Sequence, residues 1–65
     1  MKNLKLRGAR AEKGLTQKEL SKLIEMPLAT YVAKEQGRYQ FTVSEAQTIA
    51  EVLGKNPSEI FFNAR

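Results

Sequence analysis

Gln17-Lys18-Glu19-Leu20-Ser21-Lys22-Leu23-Ile24-Glu25-Met26-Pro27-Leu28-Ala29-Thr30-Tyr31-Val32-Ala33-Lys34-Glu35-Gln36-Gly37 holds two short helical patterns separated by a three-residue break. In the first pattern, predicted over Gln17 to Ile24, Leu20, Leu23 and Ile24 share an apolar face. Ser21 is small enough there to let another helix come close. Glu25-Met26-Pro27 ends that pattern. Pro27 has no amide hydrogen and fits the first turn of a new helix rather than the middle of an old one. The second pattern is predicted from Pro27 to Gln36, with Gly37 closing it. A break this short cannot reverse the chain into a parallel hairpin, so the two helices must cross at a steep angle.

The flanking sequence extends the helical reading in both directions. Thr16 and Glu19 have capping-box spacing: the Thr16 hydroxyl accepts from the Glu19 amide, and the Glu19 carboxylate accepts from the Thr16 amide. Upstream, Asn3 is positioned to cap a first helix from Leu4 to Lys13, which Gly14 ends. Leu6, Ala9, Arg10 and Lys13 share one face of it, so two cations lie on the side that should turn inward. Gly8 weakens this helix by up to ~1 kcal/mol relative to alanine. Downstream, Arg38-Tyr39-Gln40-Phe41 reads as a loop. Thr42 and Glu45 form a second capping box, opening a fourth helix with an Ala46, Ile49, Ala50, Leu53 stripe and a stop at Gly54. Asn56-Pro57-Ser58-Glu59 sets a cap, a first-turn proline and an acid for a short fifth helix bearing Ile60, Phe61 and Phe62. No strand pattern, repeat or low-complexity tract interrupts the series. The expected fold is all-α: five helices in one domain spanning residues 1–65.

Composition narrows the chemistry. The chain has 65 residues and no cysteine or histidine. Disulfides, thiolate metal sites, imidazole ligands and the commonest general base are therefore excluded. A chain of this size buries only about 60% of its unfolded surface, leaving little room for a catalytic cleft. No nucleotide-binding glycine loop is present. Neither catalysis, a metal nor a cofactor is expected. The formal charge is +4, unevenly spread. Residues 1–40 carry nine Lys and Arg against four Glu, whereas residues 41–65 carry two against three. A basic N-terminal part suggests a side that faces a polyanion. No apolar run approaches the ~18–20 residues that span a bilayer, and the first residues lack a secretory signal pattern. A cytoplasmic location in a bacterium or phage is expected.

Arg10, Gly14-Leu15-Thr16-Gln17-Lys18-Glu19-Leu20-Ser21-Lys22-Leu23-Ile24, Thr30-Tyr31 and Glu35-Gln36-Gly37-Arg38 occur together in an order that resembles the Cro/phage-repressor, or Xre-type, helix-turn-helix family. The resemblance covers nearly the whole chain, including Ile49-Ala50 and Leu53-Gly54 at the close of the fourth helix. It implies a five-helix lambda-repressor-like fold and sequence-specific binding of double-stranded DNA. The second helix would lie across the backbone and the third would enter the major groove. It also implies a salt bridge between Arg10 and Glu35, tying the first helix to the end of the third. Pro27, Leu28, Ala29, Thr30, Val32 and Ala33 would then face bases. Gln17, Lys18, Gln36, Gly37, Arg38, Tyr39 and Gln40 would meet phosphates, with Tyr31 in the buried place. Members bind palindromic sites as dimers, and Ile60, Phe61 and Phe62 are the residues expected to supply a two-fold contact once one of the aromatics has completed the core.

Three positions depart from the family pattern. Glu25 stands where glycine is usual, and a left-handed backbone there costs about 1 kcal/mol or more. Pro27 replaces a Ser or Thr cap. Lys34 replaces an apolar residue, with its stem expected to be buried and its head exposed. The expected reading face is also unusually apolar. Base edges are normally read by Arg, Asn or Gln, whereas Leu28, Ala29, Val32 and Ala33 offer contacts to thymine methyl groups. The leading expectation is a transcriptional repressor. The alternative is an antitoxin or accessory protein that uses the same fold mainly to bind another protein.

Overall fold

The computed structural model describes residues 4–61, and its five helices follow one another without a strand among them. They are α1 (Leu4–Glu12), α2 (Gln17–Leu23), α3 (Leu28–Glu35), α4 (Val43–Leu53) and α5 (Pro57–Ile60). Asn3 lies outside the described residues. The capping boxes at Thr16/Glu19 and Thr42/Glu45 are both formed, each with reciprocal bonds of 2.9 and 3.0 Å. At the start of α5 the Asn56 amide donates to Glu59 Oε1 at 3.0 Å, while the Glu59 amide donates to the Asn56 backbone carbonyl at 2.9 Å.

Pro27 lies one residue outside the helix that the sequence assigned to it. Its ψ of 141° is extended, and it acts as the N-cap of α3 through its carbonyl, which accepts from the Tyr31 amide at 2.9 Å. Its side chain supplies no capping bond. Likewise Lys13, Ile24 and Gln36 flank their helices rather than belonging to them, each still donating its amide to the carbonyl four residues back.

The core is one cluster drawn from every helix: Leu6 and Ala9 from α1, Leu20 from α2, Tyr31 from α3, Ile49, Ala50 and Leu53 from α4, and Ile60 from α5. Leu15, Ile24, Met26, Phe41, Val52 and Phe61 cover its margins. Leu23 does not join it. That side chain is 57% exposed, whereas Ser21 is buried. α2 turns its Leu20–Ser21 edge toward α3, and close approach at the small Ser21 leaves Leu23 on the outer flank. The Ser21 hydroxyl is satisfied within α2 by the Lys18 carbonyl at 2.8 Å. Ile60 is also corrected: it is 2% exposed and fills the core where α5 meets α1 and α4. One helical turn following Pro57 aims it inward, so it is not available for a two-fold contact. Phe61 is half-buried against Phe41, their ring centroids 5.2 Å apart, and Phe62 lies outside the described residues.

Candidate nucleic-acid interface

α1, α2, α3 and α4 all end in the same hydrogen-bonded turn. After α2, the Glu25 amide donates to the Lys22 carbonyl and the Met26 amide to the Ser21 carbonyl, at 3.1 and 2.9 Å. After α3, the Gly37 amide donates to Lys34 and the Arg38 amide to Ala33, at 3.1 and 2.9 Å. This pattern requires a left-handed residue immediately after the cap. Glycine fills that place after α1, α3 and α4, but Glu25 fills it after α2 with a φ of 58°. The strain is tolerated because Met26, the next residue, is drawn against the core. Replacement of Glu25 by glycine is expected to stabilise the fold by about 1 kcal/mol, since it removes a left-handed L-residue. Thermal unfolding followed by circular dichroism should show a midpoint about 4–8 °C higher.

The crossing of α2 and α3 is locked from below by a buried carboxylate. Glu35 is 1% exposed yet carries three side-chain donors. Arg10 Nε reaches its Oε2 at 2.9 Å, the Tyr31 hydroxyl reaches the same oxygen at 2.6 Å, and Gln17 Nε2 reaches Oε1 at 2.7 Å. A second Arg10 nitrogen lies 3.4 Å from Oε1, and a third donates to the Leu15 carbonyl at 2.9 Å. One acid thus ties α1, the start of α2 and α3 together. Burial acts to raise the Glu35 carboxyl, but the bonds from Arg10, Tyr31 and Gln17 outweigh it and hold the group below the usual carboxylate range. The Tyr31 hydroxyl is pushed well above its ordinary value, first by burial and then by Glu35. Arg10 is held charged, because Glu35 more than offsets the effect of its burial.

A second pair braces the far end of α3. Lys34 Nζ lies 2.7 Å from Glu45 Oε1, the same oxygen that accepts from the Thr42 amide. The ammonium also sits 5.9 Å from the Phe41 ring centroid. The lysine head is therefore engaged rather than solvated, because Glu45 arrives across the loop with a carboxylate to receive it. Lys34 and then Thr42 hold the Glu45 carboxyl low, the bond from Lys34 being the largest influence. Tyr31, Phe41 and Phe61 run as a chain of tilted and edge-on rings beneath this loop, with centroids 5.9 and 5.2 Å apart.

These anchors decide what α3 presents outward. Tyr31 and Glu35, four residues apart, define its buried face. Pro27, Leu28, Ala29 and Thr30 are exposed, while Val32 and Ala33 are half-buried on its flanks. Beyond α3, Gln36, Arg38, Tyr39 and Gln40 are exposed and Gly37 is half-buried. Tyr39 is 66% exposed. Lys18 is exposed in the first turn of α2. Gln17 is placed differently: its side chain is committed to Glu35, so only its backbone amide is oriented by the helix start toward an outside anion. Sequence reasoning missed Gln17, Tyr31 and Lys34 as members of these networks. The four-residue spacing of Tyr31 and Glu35 was the available signal for one of them. Among the described residues no group of acids gathers as a metal site, and no helix is long and apolar enough to cross a membrane.

Comparison with known proteins covers almost the same span. A helix-turn-helix family profile matches residues 6–60. An uncharacterized HTH-type transcriptional regulator of Methanothermobacter thermautotrophicus is 39% identical over 57 residues, which is 88% of this chain and 83% of that protein. The crystal structure of the restriction-modification controller protein C.AhdI from Aeromonas hydrophila superposes with a TM-score of 0.82 at 27% identity. That match covers 91% of this chain and 89% of the other.

Proposed function

The chain belongs to the helix-turn-helix family of DNA-binding transcriptional regulators, and from that membership we propose that it represses transcription by docking α3 in the major groove of a specific site. The observation that carries this reading is the division of α3 into two faces. Tyr31 and Glu35 are sealed inward, while the opposite face stands open beside a loop bearing Arg38. α2 lies across the backbone, where the first-turn amides of Gln17 and Lys18 and the Lys18 ammonium suit a phosphate. Gln36, Gly37, Arg38, Tyr39 and Gln40 meet phosphates on the other side of α3 and set its register. Pro27, Leu28, Ala29, Thr30, Val32 and Ala33 face the bases. A homodimer places two copies on a palindrome with half-sites about 34 Å apart. Ile60 takes no part in that pairing; Phe61, together with Phe62, remains its proposed source. A cytoplasmic location is in keeping with a DNA partner, and this reading requires neither catalysis nor a cofactor.

Mobility shifts on genomic fragments across a salt series test the reading. Log affinity should fall linearly with log salt, with a slope of about −0.9 for each phosphate neutralised. Arg38→Ala should reduce that slope by about 1 and weaken all duplexes alike. An unchanged slope would remove Arg38 from the interface. A second reading rests on the apolar outer surface, where Leu23 and Leu28 are 57% and 42% exposed: an accessory protein or antitoxin that binds another protein. Absence of any retained duplex at about 50 mM salt favours it over DNA binding.

A further inference from the structure

We propose that α3 reads the C5-methyl groups of pyrimidines, those of thymine or 5-methylcytosine, rather than the hydrogen-bonding edges of purines. This rests on the DNA-docking reading given above and names what that docked helix recognises.

The two charged side chains of α3, Lys34 and Glu35, are both drawn away from its outer face. Lys34 is held by Glu45, and Glu35 by Arg10, Tyr31 and Gln17. The Tyr31 hydroxyl is used by the same acid. The residues left to face outward are then the exposed Leu28, Ala29 and Thr30, with the half-buried Val32 and Ala33 on the flanks. Four of these five offer only hydrocarbon, and Thr30 pairs its hydroxyl with a methyl. Bidentate recognition of guanine or adenine needs a guanidinium, ammonium or carboxamide at the base edge. Gln17, the amide closest in sequence to α3 on the α2 side, is spent on Glu35. Gln36 and Arg38 come only after the last turn, beside the loop proposed to grip phosphates. In the major groove, the feature that an apolar surface can sense is a methyl on C5 of a pyrimidine. The small Ala29 and Ala33 side chains let the helix axis come close enough for such contacts, with Leu28 and Val32 as walls.

The test begins with selection of bound duplexes from a random pool by the full chain at about 50 mM salt. The best duplex is remade at each thymine in turn with deoxyuridine, with cytosine·guanine, and with 5-methylcytosine·guanine. A further duplex carries 7-deazaguanine, which lacks the N7 acceptor. Affinity should fall about four-fold for each contacted methyl removed, the equivalent of exposing one CH2 group. At the same positions 5-methylcytosine should bind more tightly than cytosine by a similar factor, and 7-deazaguanine should have no effect. The paired comparisons separate the methyl from duplex stiffness, because the methyl is varied in two different base-pair contexts. Equal binding of thymine and deoxyuridine duplexes overturns the proposal while leaving DNA binding intact. A loss on 7-deazaguanine without one on deoxyuridine does the same and assigns specificity to Gln36 or Arg38. Failure to enrich any duplex overturns the DNA reading itself.

Discussion

Glu35→Ala is expected to remove most of the protein's stability at 25 °C. Removing this carboxylate strands the Arg10 guanidinium, of which only 14% of the side chain is exposed, and takes the acceptor from the Tyr31 hydroxyl and Gln17 amide. Breaking one side of such a pair costs about 3–5 kcal/mol. A chain of 65 residues has only about 3–10 kcal/mol in total. Urea titration should show a midpoint shifted by most of its value, or no folded baseline. The acid limb of the stability profile has the same origin. Because the folded-state carboxyl titrates below its ordinary value of 4.5, its stabilisation is complete above that pH and is lost as pH falls through the lower folded value. Glu45 adds in the same direction. Tyr31 acts at the opposite end: with its hydroxyl raised, its contribution is intact below 10.0 and erodes as pH climbs beyond it. Tyr31→Phe, which removes one donor to the charged Glu35, should cost about 1.5–3 kcal/mol and make acid unfolding begin at higher pH.

Ala29→Glu should abolish specific duplex binding while leaving the fold intact. Ala29 is exposed in the first turn of α3. An acid there complements the helix dipole and is worth about 0.3–1 kcal/mol of stability. On DNA the same charge meets phosphates at close range, and like-charge juxtaposition costs several kcal/mol, which is roughly a hundred-fold or more in affinity. Ala29→Gln has similar size without the charge and should lose less affinity than Ala29→Glu, the difference between the two measuring the charge and the remainder the lost close approach. A melting temperature held or raised in Ala29→Glu, together with lost mobility shift, separates interface from scaffold. Undiminished binding would take α3 out of the groove.

The helix layout was legible because its signals are local. Two capping boxes, a first-turn proline and glycines at helix exits each act within four residues, and all are seen in the structure. The Arg10–Glu35 bridge joins residues 25 apart, and no periodicity specifies such a pair; the family resemblance supplied it. What stayed hidden depends on which neighbour arrives. Leu23 is left outside the core because α3 packs on the Leu20–Ser21 edge of α2, where the small Ser21 admits it as expected. Lys34 finds Glu45 only once the loop from 36 to 42 has closed. Ile60 looks like a surface anchor until a single turn of α5 points it at α1. The base-facing and phosphate-facing assignments came from the family resemblance alone, and the duplex experiments above bear on them directly.

The clamp on Glu35 has a mechanical consequence. With α1, α2 and α3 fastened to one carboxylate, α3 cannot shift against the other two without breaking bonds to Glu35. If α3 docks as proposed, adjustment on contact falls to the nucleic acid, and sites whose base steps bend or narrow readily gain an advantage that no side chain confers.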